Sequence, residues 1–372
     1  MKRLQMEILL KDLKKKMVML SGPRQVGKTW LAKSIMSSFK NPLYYNYDNL
    51  NHRDIINNMA WPNDPDLIIF DEIHKKPEFK NYLKGVYDTK SESQSILVTG
   101  SARLELLRKM GDSLAGRFYS HQLLPFSFKE INKVNNKISF NHYWNRGGFP
   151  EPLLGDETTA KLWRQSYYDS LIREDLFELI QIGDFRAIKS LLELLKIKVG
   201  APVSYSSLSE DLHISVPTVK KYIEILEALY LVFRVTPYSK NIARAILKEP
   251  KIYFYDFSLI ENEGAKLENL VALSLLKHVS FLNDTQADGL GLHYLRTKDA
   301  KEVDFCLSKK GNLIELLEVK MSDKNISSNL LYFSEKYQTQ GKQLVLNLRD
   351  ERKINQQVQI LKLKEYLLSL SA

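Results

Sequence analysis

Residues 22–29 read GPRQVGKT and carry the complete spacing G-x-x-x-x-G-K-S/T. An apolar run at 17–20 predicts a strand before them, and 30–39 predicts a helix after them. A glycine-containing loop in this position turns its backbone N–H groups and the positive end of the helix dipole toward phosphate. Lys28 is expected to reach the β- and γ-phosphates, and Thr29 to take a place at magnesium. The pattern predicts binding of ATP and Mg²⁺ by eight residues: Gly22, Pro23, Arg24, Gln25, Val26, Gly27, Lys28 and Thr29.

Two acids, Asp71 and Glu72, follow a second apolar run at 67–70. A buried parallel strand delivers the residues at its carboxyl end to the crevice where such sheets bind ligands. We therefore expect Asp71 to hold the magnesium ion and Glu72 to polarise the attacking water.

Two further groups are candidates for contact with the γ-phosphate. The run at 96–99 ends in hydroxyls, and either Thr99 or Ser101 is expected to sense this phosphate. A cation on the developing charge is often supplied by a neighbouring subunit, and Arg117, or else Arg103, is expected to fill this role. An ordinary strand end and a surface arginine are the competing interpretations.

A carboxylate cluster is predicted near the C-terminus. Glu302 and Asp304 share one face of a predicted strand, and Glu318 and Lys320 share a face of the next. Asp304 and Glu318 could bind Mg²⁺, with Glu268 of the preceding helix as a further metal ligand, while Lys320 activates water beside them. We predict Asp304, Glu318 and Lys320 as catalytic, and the alternative is a polar strand face with a solvated ion pair.

The elements that must position these residues predict an α/β fold in three parts. Alternating strands and helices in residues 1–150 predict a parallel P-loop sheet covered by helices on both faces. Residues 151–250 are predicted as a helical and winged-helix region, and 251–372 as an α/β domain of restriction-endonuclease type. The polar stretch 280–291 is predicted as a loop.

A helix-turn-helix pattern lies within the middle part. Residues 206–213 and 217–226 predict two helices, with Val219, Ile223 and Leu226 on the buried face of the second. Thr218, Lys220 and Lys221 are left facing outward. Such residues enter the major groove in DNA-binding proteins, but the same fold also mediates protein contacts or covers an ATPase site.

The composition limits partners and location. The net charge of +10 favours a polyanionic partner such as DNA, although an ordinary basic surface is an equal alternative. A single cysteine, Cys306, excludes internal disulfides and indicates a reducing cytoplasm. No apolar run is long enough to span a bilayer, and no membrane association is expected.

The motif order resembles a widespread family of bacterial and archaeal AAA-type ATPases whose C-terminal half was long catalogued as a domain of unknown function. The resemblance is carried by SGPRQVGKT, LIIFDEIHK, LVTGSA, LAGRFYSHQLLPFSFKE and RGGFPEP, and then by VPTVKKYIEILEALYLVFRVTPYS, KIYFYDFSLI, LENLVALSLL and KEVDFCL with LEVK. It implies an AAA core, a winged-helix middle and a PD-(D/E)xK-like end. It supports the ATPase roles and the nuclease-like positions named above: Lys28, Thr29, Asp71, Glu72 and Arg117, with Glu268, Asp304, Glu318 and Lys320. His74, where a glutamine is usual, and Trp30, where a smaller residue is common, depart from the family pattern.

Two hypotheses of function remain open at this point. The first is an enzyme that hydrolyses ATP and acts on DNA. The second is a nucleotide-gated switch or scaffold that binds protein partners, forms homo-oligomers and carries an inactive nuclease-like domain. Asp71-Glu72-Ile73-His74 also spells a helicase box, but no Q-x-x-G-R-x-x-R element follows Pro125, which argues against a translocating helicase.

Overall fold

A computed structural model describes residues 3–62, 64–100, 114, 116–171, 185–239, 249–322 and 325–372. The candidates Ser101 and Arg103 lie outside these residues. The chain divides into two compact units, one of residues 1–126 with 228–230, the other of 127–227 with 231–372. In the described ranges, no helix has the length and apolar character needed to cross a membrane.

The first unit is built around a parallel sheet. Its elements are α1 (Met6–Leu13), β1 (Met17–Ser21), α2 (Lys28–Met36), β2 (Pro42–Asn46), α3 (Leu50–Asn58), β3 (Leu67–Asp71), α4 (Phe79–Thr89), β4 (Ser95–Thr99) and β5 (Phe118–Gln122). The strand order is β2-β3-β4-β1-β5, and every neighbouring pair is parallel. The predicted parallel P-loop sheet is confirmed.

Burial on both faces explains why the three inner strands β1, β3 and β4 are strongly apolar. Ile68 and Phe70 of β3 pack into one core cluster, whereas Leu67 and Ile69 pack into another. Because successive side chains of a strand point to opposite faces, the two clusters lie on the two sides of the sheet. A strand covered by helices on both sides cannot carry the polar alternation of a half-exposed strand.

The sheet register brings the ends of three strands together. Leu20 pairs with Thr99, and Thr99 pairs in turn with Asp71. In a parallel sheet these carboxyl ends lie at one edge, which is where the loop after β1 begins.

The second unit begins with helices and ends in a large sheet. Its elements in the described residues are α5 (Phe128–Val134), α6 (Phe140–Arg146), α7 (Pro150–Leu154), α8 (Glu157–Ser170), α9 (Phe185–Ile197), α10 (Tyr205–Leu212), α11 (Val216–Ala228), β6 (Val232–Pro237), β7 (Lys251–Phe254), α12 (Glu263–Gln286), β8 (Leu290–Arg296), β9 (Glu302–Lys309), β10 (Asn312–Lys320), α13 (Ser328–Tyr337), β11 (Gln340–Val345), β12 (Arg352–Lys353), β13 (Val358–Lys362) and α14 (Leu363–Ser369).

One sheet joins the middle of the chain to its C-terminal part. Its strand order is β12-β13-β11-β10-β9-β8-β6-β7, with β6 antiparallel to β7 and parallel to β8. The predicted divisions at residues 150 and 250 therefore do not coincide with the compact units, because β6 pairs across the second division. Packing groups everything from 127 onward, apart from 228–230, into one unit.

The helix-turn-helix pattern forms largely as predicted. Helices α10 and α11 are separated by three residues, and β6 with β7 forms an antiparallel pair after them. Val219, Ile223 and Leu226 are fully buried. Lys220 and Lys221 are exposed, whereas Thr218 is half-buried beside the hydroxyl of Ser215.

The predicted loop at 280–291 is wrong over its first half, because α12 continues to Gln286. The polar side chains at this end belong to the helix. Asn283 shows why a polar stretch can remain helical: its side-chain amide donates to the carbonyl of Leu290 at 2.9 Å and accepts from the Leu290 N–H at 2.8 Å.

Candidate functional site

The loop of residues 22–29 connects β1 to α2, and two glycines fix its path. At Gly22 a Cβ atom would lie 2.1 Å from the Leu123 carbonyl oxygen, so only glycine allows this approach to the chain after β5. Gly27 precedes α2 with φ 98°, a left-handed conformation that favours glycine. The N-terminus of α2 therefore opens directly from the loop, as a phosphate-binding loop requires.

The loop residues differ in environment. Val26 is fully buried in the sheet's core cluster, and Gln25 takes a left-handed conformation with φ 57°. Lys28 is only 7% exposed, and its Nζ donates to the carbonyls of Gly22 at 2.9 Å and Pro23 at 2.6 Å. The ammonium is thus held inside the curve of the loop.

Asp71 is the meeting point of three hydroxyl groups. Its Oδ2 accepts from Thr29 Oγ1 at 2.8 Å and from the Tyr44 hydroxyl at 2.7 Å, and its Oδ1 accepts from Thr99 Oγ1. These donors come from α2, β2 and β4, and Asp71 itself is 2% exposed. The carboxylate is therefore oriented from three sides, with Thr29 of the loop as one of its partners.

Glu72 follows in an unusual backbone conformation. Its φ of 56° and ψ of 23° lie in the left-handed region, which costs a non-glycine residue about 1 kcal/mol or more. The strain is held by a hydrogen bond from its N–H to the Thr99 carbonyl at 3.0 Å. Its side chain lies 3.5 Å from Nε2 of the buried His74.

Burial raises the pKa of Glu72 above its ordinary value, and the charge of Asp71 adds to this increase, whereas Lys28 lowers it. Because its pKa is raised, the Glu72 carboxylate is a stronger base than the carboxylate of an exposed glutamate. Backbone strain, burial and a second carboxylate close by are features that cluster at reactive sites.

The two remaining candidates of the first unit are placed differently. Thr99 lies at this edge, but its hydroxyl is hydrogen-bonded to Asp71, so a role as γ-phosphate sensor remains a prediction.

Arg117 lies at the opposite end of the sheet, since its carbonyl accepts from the N–H of Met17, the first residue of β1. Its guanidinium pairs with Asp88 through Nε at 2.8 Å and Nη2 at 3.1 Å. The structure does not bring Arg117 to the loop of its own chain, and action on a neighbouring subunit stays a prediction.

The C-terminal carboxylates surround a lysine that the sequence analysis did not identify. Lys251 of β7 is fully buried, and its Nζ lies 3.0 Å from Glu268 Oε1, 2.7 Å from Glu302 Oε1 and 3.9 Å from Asp304 Oδ1. Glu268 Oε1 also accepts from the Tyr253 hydroxyl at 2.6 Å. Glu268 and Asp304, two of the predicted metal ligands, thus lie together with Glu302 around an ammonium group.

Glu318 and Lys320 form the other side of the cluster. Lys320 Nζ lies 2.9 Å from Glu318 Oε1 on the same face of β10. Among the residues that the structure describes, the buried Oε2 of Glu318 has no hydrogen-bond partner. Asp304 Oδ2 accepts from the backbone N–H of Val319 at 2.8 Å. Across the part of the chain that the structure describes, no three acidic, histidine or cysteine side chains are arranged to hold a metal ion.

Burial dominates the electrostatics of these acids. It raises the pKa of Glu268 and of Glu318 to about 7 in each case, with the charge of Asp304 as the second cause. Burial also raises the pKa of Asp304. Burial opposes the charged form of Lys251, but the carboxylates of Glu268, Asp304 and Glu302 outweigh it and raise the pKa of this lysine.

Two site residues had weak signals in the sequence. Tyr44 stands in an apolar run that predicts a strand but does not show which hydroxyl reaches Asp71. Lys251 directly precedes the apolar residues Ile252, Tyr253 and Phe254, a position in which a lysine is usually exposed.

Comparison with known proteins divides the chain into three matched segments. Residues 14–132 match a family described as an AAA domain. Residues 137–266 and 263–366 match two families, each described as a domain of unknown function.

Curated relatives are distant and uncharacterized. An uncharacterized protein of Haemophilus influenzae is 25% identical over 271 residues, which cover 66% of this chain and 65% of that protein. One from Methanocaldococcus jannaschii is 26% identical over 352 residues, covering 84% of this chain and 76% of its own length. Against a Mycobacterium bovis protein with 26% identity, the match spans 55% of that relative.

Two solved structures are similar to part of the chain. A Walker-type ATPase of Pyrococcus abyssi is 15% identical with a TM-score of 0.43, and the match covers 68% of this chain and 92% of that one. The RuvB Holliday junction branch migration motor of Thermotoga maritima is 18% identical with a TM-score of 0.34, covering 62% and 87%.

Proposed function

We propose that the chain, whose residues 14–132 match an AAA domain, hydrolyses ATP with Mg²⁺ and couples this reaction to binding or processing of DNA. The observation that supports the nucleotide part of the proposal is the meeting of Lys28, Thr29 and Asp71 at one edge of the parallel sheet. The DNA part is supported by the helix-turn-helix geometry and by the net charge of +10.

The residues at this edge suit a magnesium ion. Mg²⁺ prefers hard oxygen ligands, and the Thr29 hydroxyl and the Asp71 carboxylate, already in contact at 2.8 Å, supply two of them. In this proposal the ion is held by Thr29 and Asp71, and it would neutralise negative charge on the phosphates. The backbone N–H groups of the loop bind the triphosphate, and Lys28 exchanges its carbonyl partners for phosphate oxygens.

Glu72 acts as the general base in this mechanism. Its carboxylate accepts a proton from the water that attacks the γ-phosphate. Its raised pKa increases the driving force for that transfer, and the hydrogen bond from its N–H to the Thr99 carbonyl holds the backbone that carries it. A neutral glutamine at this position would bind nucleotide but could not accept the proton.

An ATPase measurement with and without DNA tests the proposal. Lys28→Ala is expected to abolish ATP binding, whereas Glu72→Gln is expected to retain binding and lose about 100-fold or more of the turnover. Duplex or single-stranded DNA is expected to stimulate turnover of the unaltered chain. A turnover that is indifferent to DNA across a range of salt concentrations would refute the DNA part and leave the ATPase intact.

A paired variant locates the DNA surface. Lys220 and Lys221 are adjacent and exposed on α11, so changing both to alanine is expected to reduce the slope of log K against log salt by about 2. Lys14 and Lys15 are a matched exposed pair, and their change to alanine is expected to alter the slope less. An equal reduction of this slope in both double variants would indicate that DNA binds a diffuse basic surface and does not dock on α11.

A second function is favoured by one observation, the buried Lys251 beside Glu268 and Asp304, two of the predicted metal ligands. It is a nucleotide-gated switch that binds protein partners, forms homo-oligomers with Arg117 acting on the neighbouring subunit, and has no active nuclease site. ATP-dependent oligomerisation, lost in Arg117→Ala, without salt-dependent affinity for DNA would support it. Nicking of DNA with Mg²⁺ that disappears in both Asp304→Ala and Lys320→Ala would instead support a catalytic cluster.

A further inference from the structure

Lys251 is the most deeply buried cation of the C-terminal cluster. Its side chain has no exposed surface, while the carboxylates of Glu268, Glu302 and Asp304 are each about one fifth exposed, at 17%, 22% and 18%. A lysine is rarely buried unless its charge is paired. Here it is paired more than once, which makes it an integral part of the cluster.

The ammonium group of Lys251 contacts the carboxylates in the way that a small bound cation would. It has three N–H donors and no acceptor, and two of its contacts are hydrogen-bonding distances of 2.7 Å and 3.0 Å to carboxylate oxygens. The third acid, Asp304, lies 3.9 Å away, and the ring of Tyr294 lies 5.4 Å from Nζ. A positive charge at Nζ is therefore surrounded by acids and one aromatic ring.

The two oxygens of Glu268 lie against different groups of the protein. Its Oε1 accepts from Lys251 and from the Tyr253 hydroxyl. Its Oε2 lies against Gly200, where a Cβ atom would approach it to 2.6 Å, so the absence of a side chain at Gly200 is what makes room for it. Gly200 also has φ +83°, which favours glycine independently.

We propose that the ammonium of Lys251 takes the place of a divalent cation beside Glu268, Glu302 and Asp304, and that Glu268 consequently does not bind metal. This assignment contradicts the prediction that Glu268 is a metal ligand. The predicted metal-binding roles of Asp304 and Glu318 are left to be tested separately. It concerns the second unit alone and depends on neither ATP hydrolysis nor DNA binding.

A divalent ion and the Lys251 ammonium would compete for the same oxygen of Glu268. A divalent ion bound to Glu268 Oε1 would use the oxygen that Lys251 and Tyr253 now occupy, and it would place a double positive charge next to a buried ammonium group. The ion must therefore displace Lys251, whose side chain is fully buried although it lies on the edge strand β7. The lysine is held in place by the β6–β7 pairing, in which Lys251 lies opposite Val235.

Binding of Mn²⁺ to the full chain without nucleotide, measured by electron paramagnetic resonance, tests the proposal. All variants are made in a Lys28→Ala background, so that the predicted magnesium site of the first unit contributes equally to each. Glu268→Gln is expected to leave the number of bound Mn²⁺ ions and their affinity unchanged. If Glu268 were a ligand, its loss would weaken one site about tenfold or more.

Removal of the lysine gives the complementary result. Lys251→Met keeps the length of the side chain and removes the charge, and it is expected to add one Mn²⁺ site per chain that disappears in the double variant with Glu268→Gln. Lys277→Met is the matched control, because Lys277 is also a buried lysine of this unit but pairs with Glu130. It is expected to add no site.

Two results would overturn the proposal. One is a Mn²⁺ site in the chain with Lys251 present that is weakened by Glu268→Gln, and this comparison remains valid even if Lys251→Met does not fold. The other is a folded Lys251→Met variant, verified by circular dichroism, that gains no Glu268-dependent site.

Discussion

At the scale of single residues, the carboxylate of Asp71 shows how the first unit prepares its site. Three hydroxyl donors reach it from three different elements, and only one of them, Thr29, belongs to the phosphate-binding loop. Tyr44 and Thr99 come from the strands on either side of β3. The orientation of this side chain is therefore set by the sheet as much as by the loop.

Tyr44→Phe tests that orientation. The change removes one donor to Asp71 and preserves the ring, which lies 4.8 Å from the Lys33 ammonium. We expect about a tenfold increase in the Mg²⁺ concentration required for half-maximal ATPase, as is typical when an outer partner of a metal ligand is lost. ATP binding measured in the presence of a chelator is expected to be unchanged.

Tyr87→Phe is a suitable control, since Tyr87 lies on α4 and packs on the sheet's core cluster. An equal loss of ATP binding and of magnesium response in Tyr44→Phe would show that Tyr44 supports the fold of the site without acting on Asp71, the proposed metal ligand.

The residues that the sequence could identify are those with a fixed spacing. Lys28 and Thr29 follow from one contiguous motif, and Asp71 with Glu72 from the end of a strongly apolar strand. Tyr44 and Lys251 could not be identified in this way, because their partners are 27 and 17 residues away and no local pattern encodes the contact. Their roles depend on strand register, which becomes visible only in the folded sheet.

At the scale of elements, the strands β1, β3 and β4 of the first unit were predictable because burial on both faces leaves a continuous apolar signal. The pattern failed for short or less apolar segments. Strand β7 has four residues and β12 has two, so neither is long enough to show a period of its own. The extension of α12 was missed because helix-supporting contacts of Asn283 involve a residue in the next strand.

A buried ion pair links two helices of the second unit and carries a stability prediction. Glu130 of α5 is 1% exposed, completes a capping box with Ser127, and pairs with Lys277 of α12, which is 3% exposed. Lys277→Met leaves a buried carboxylate without its main counter-charge. We expect a loss of about 3–5 kcal/mol in the free energy of unfolding, measured by urea denaturation.

Two comparisons make this prediction specific. Lys161→Met removes an exposed pair with Glu157, whose side chains are 72% and 71% exposed, and it is expected to cost less than about 1 kcal/mol. Adding Glu130→Gln to Lys277→Met is expected to recover part of the lost stability. If Lys277→Met proves as mild as the exposed control, the pair does not hold α5 and α12 together.

At the scale of the whole molecule, three segments of sequence form two compact units. The first unit corresponds closely to the segment 14–132 that matches an AAA domain, because its parallel sheet and the covering helices lie within residues 1–126 and only 228–230 join them from elsewhere in the chain. The second does not, since its sheet includes β6 from the middle segment and β8–β11 from the last. Composition and motifs indicate where one segment of the chain ends and the next begins, but they carry no information on which strands pair across the boundary between two segments.

The pairing of β6 with both β7 and β8 also decides how the chain can be dissected in the laboratory. A polypeptide that starts at residue 251 would keep β7 and β8 but lose the strand that lies between them, which exposes unpaired N–H and C=O groups on two edges. We expect such a fragment to aggregate on expression, whereas one that starts at residue 127 is expected to remain monodisperse in size-exclusion chromatography. A fragment prepared for study of the carboxylate cluster therefore has to include helices α10 and α11 as well.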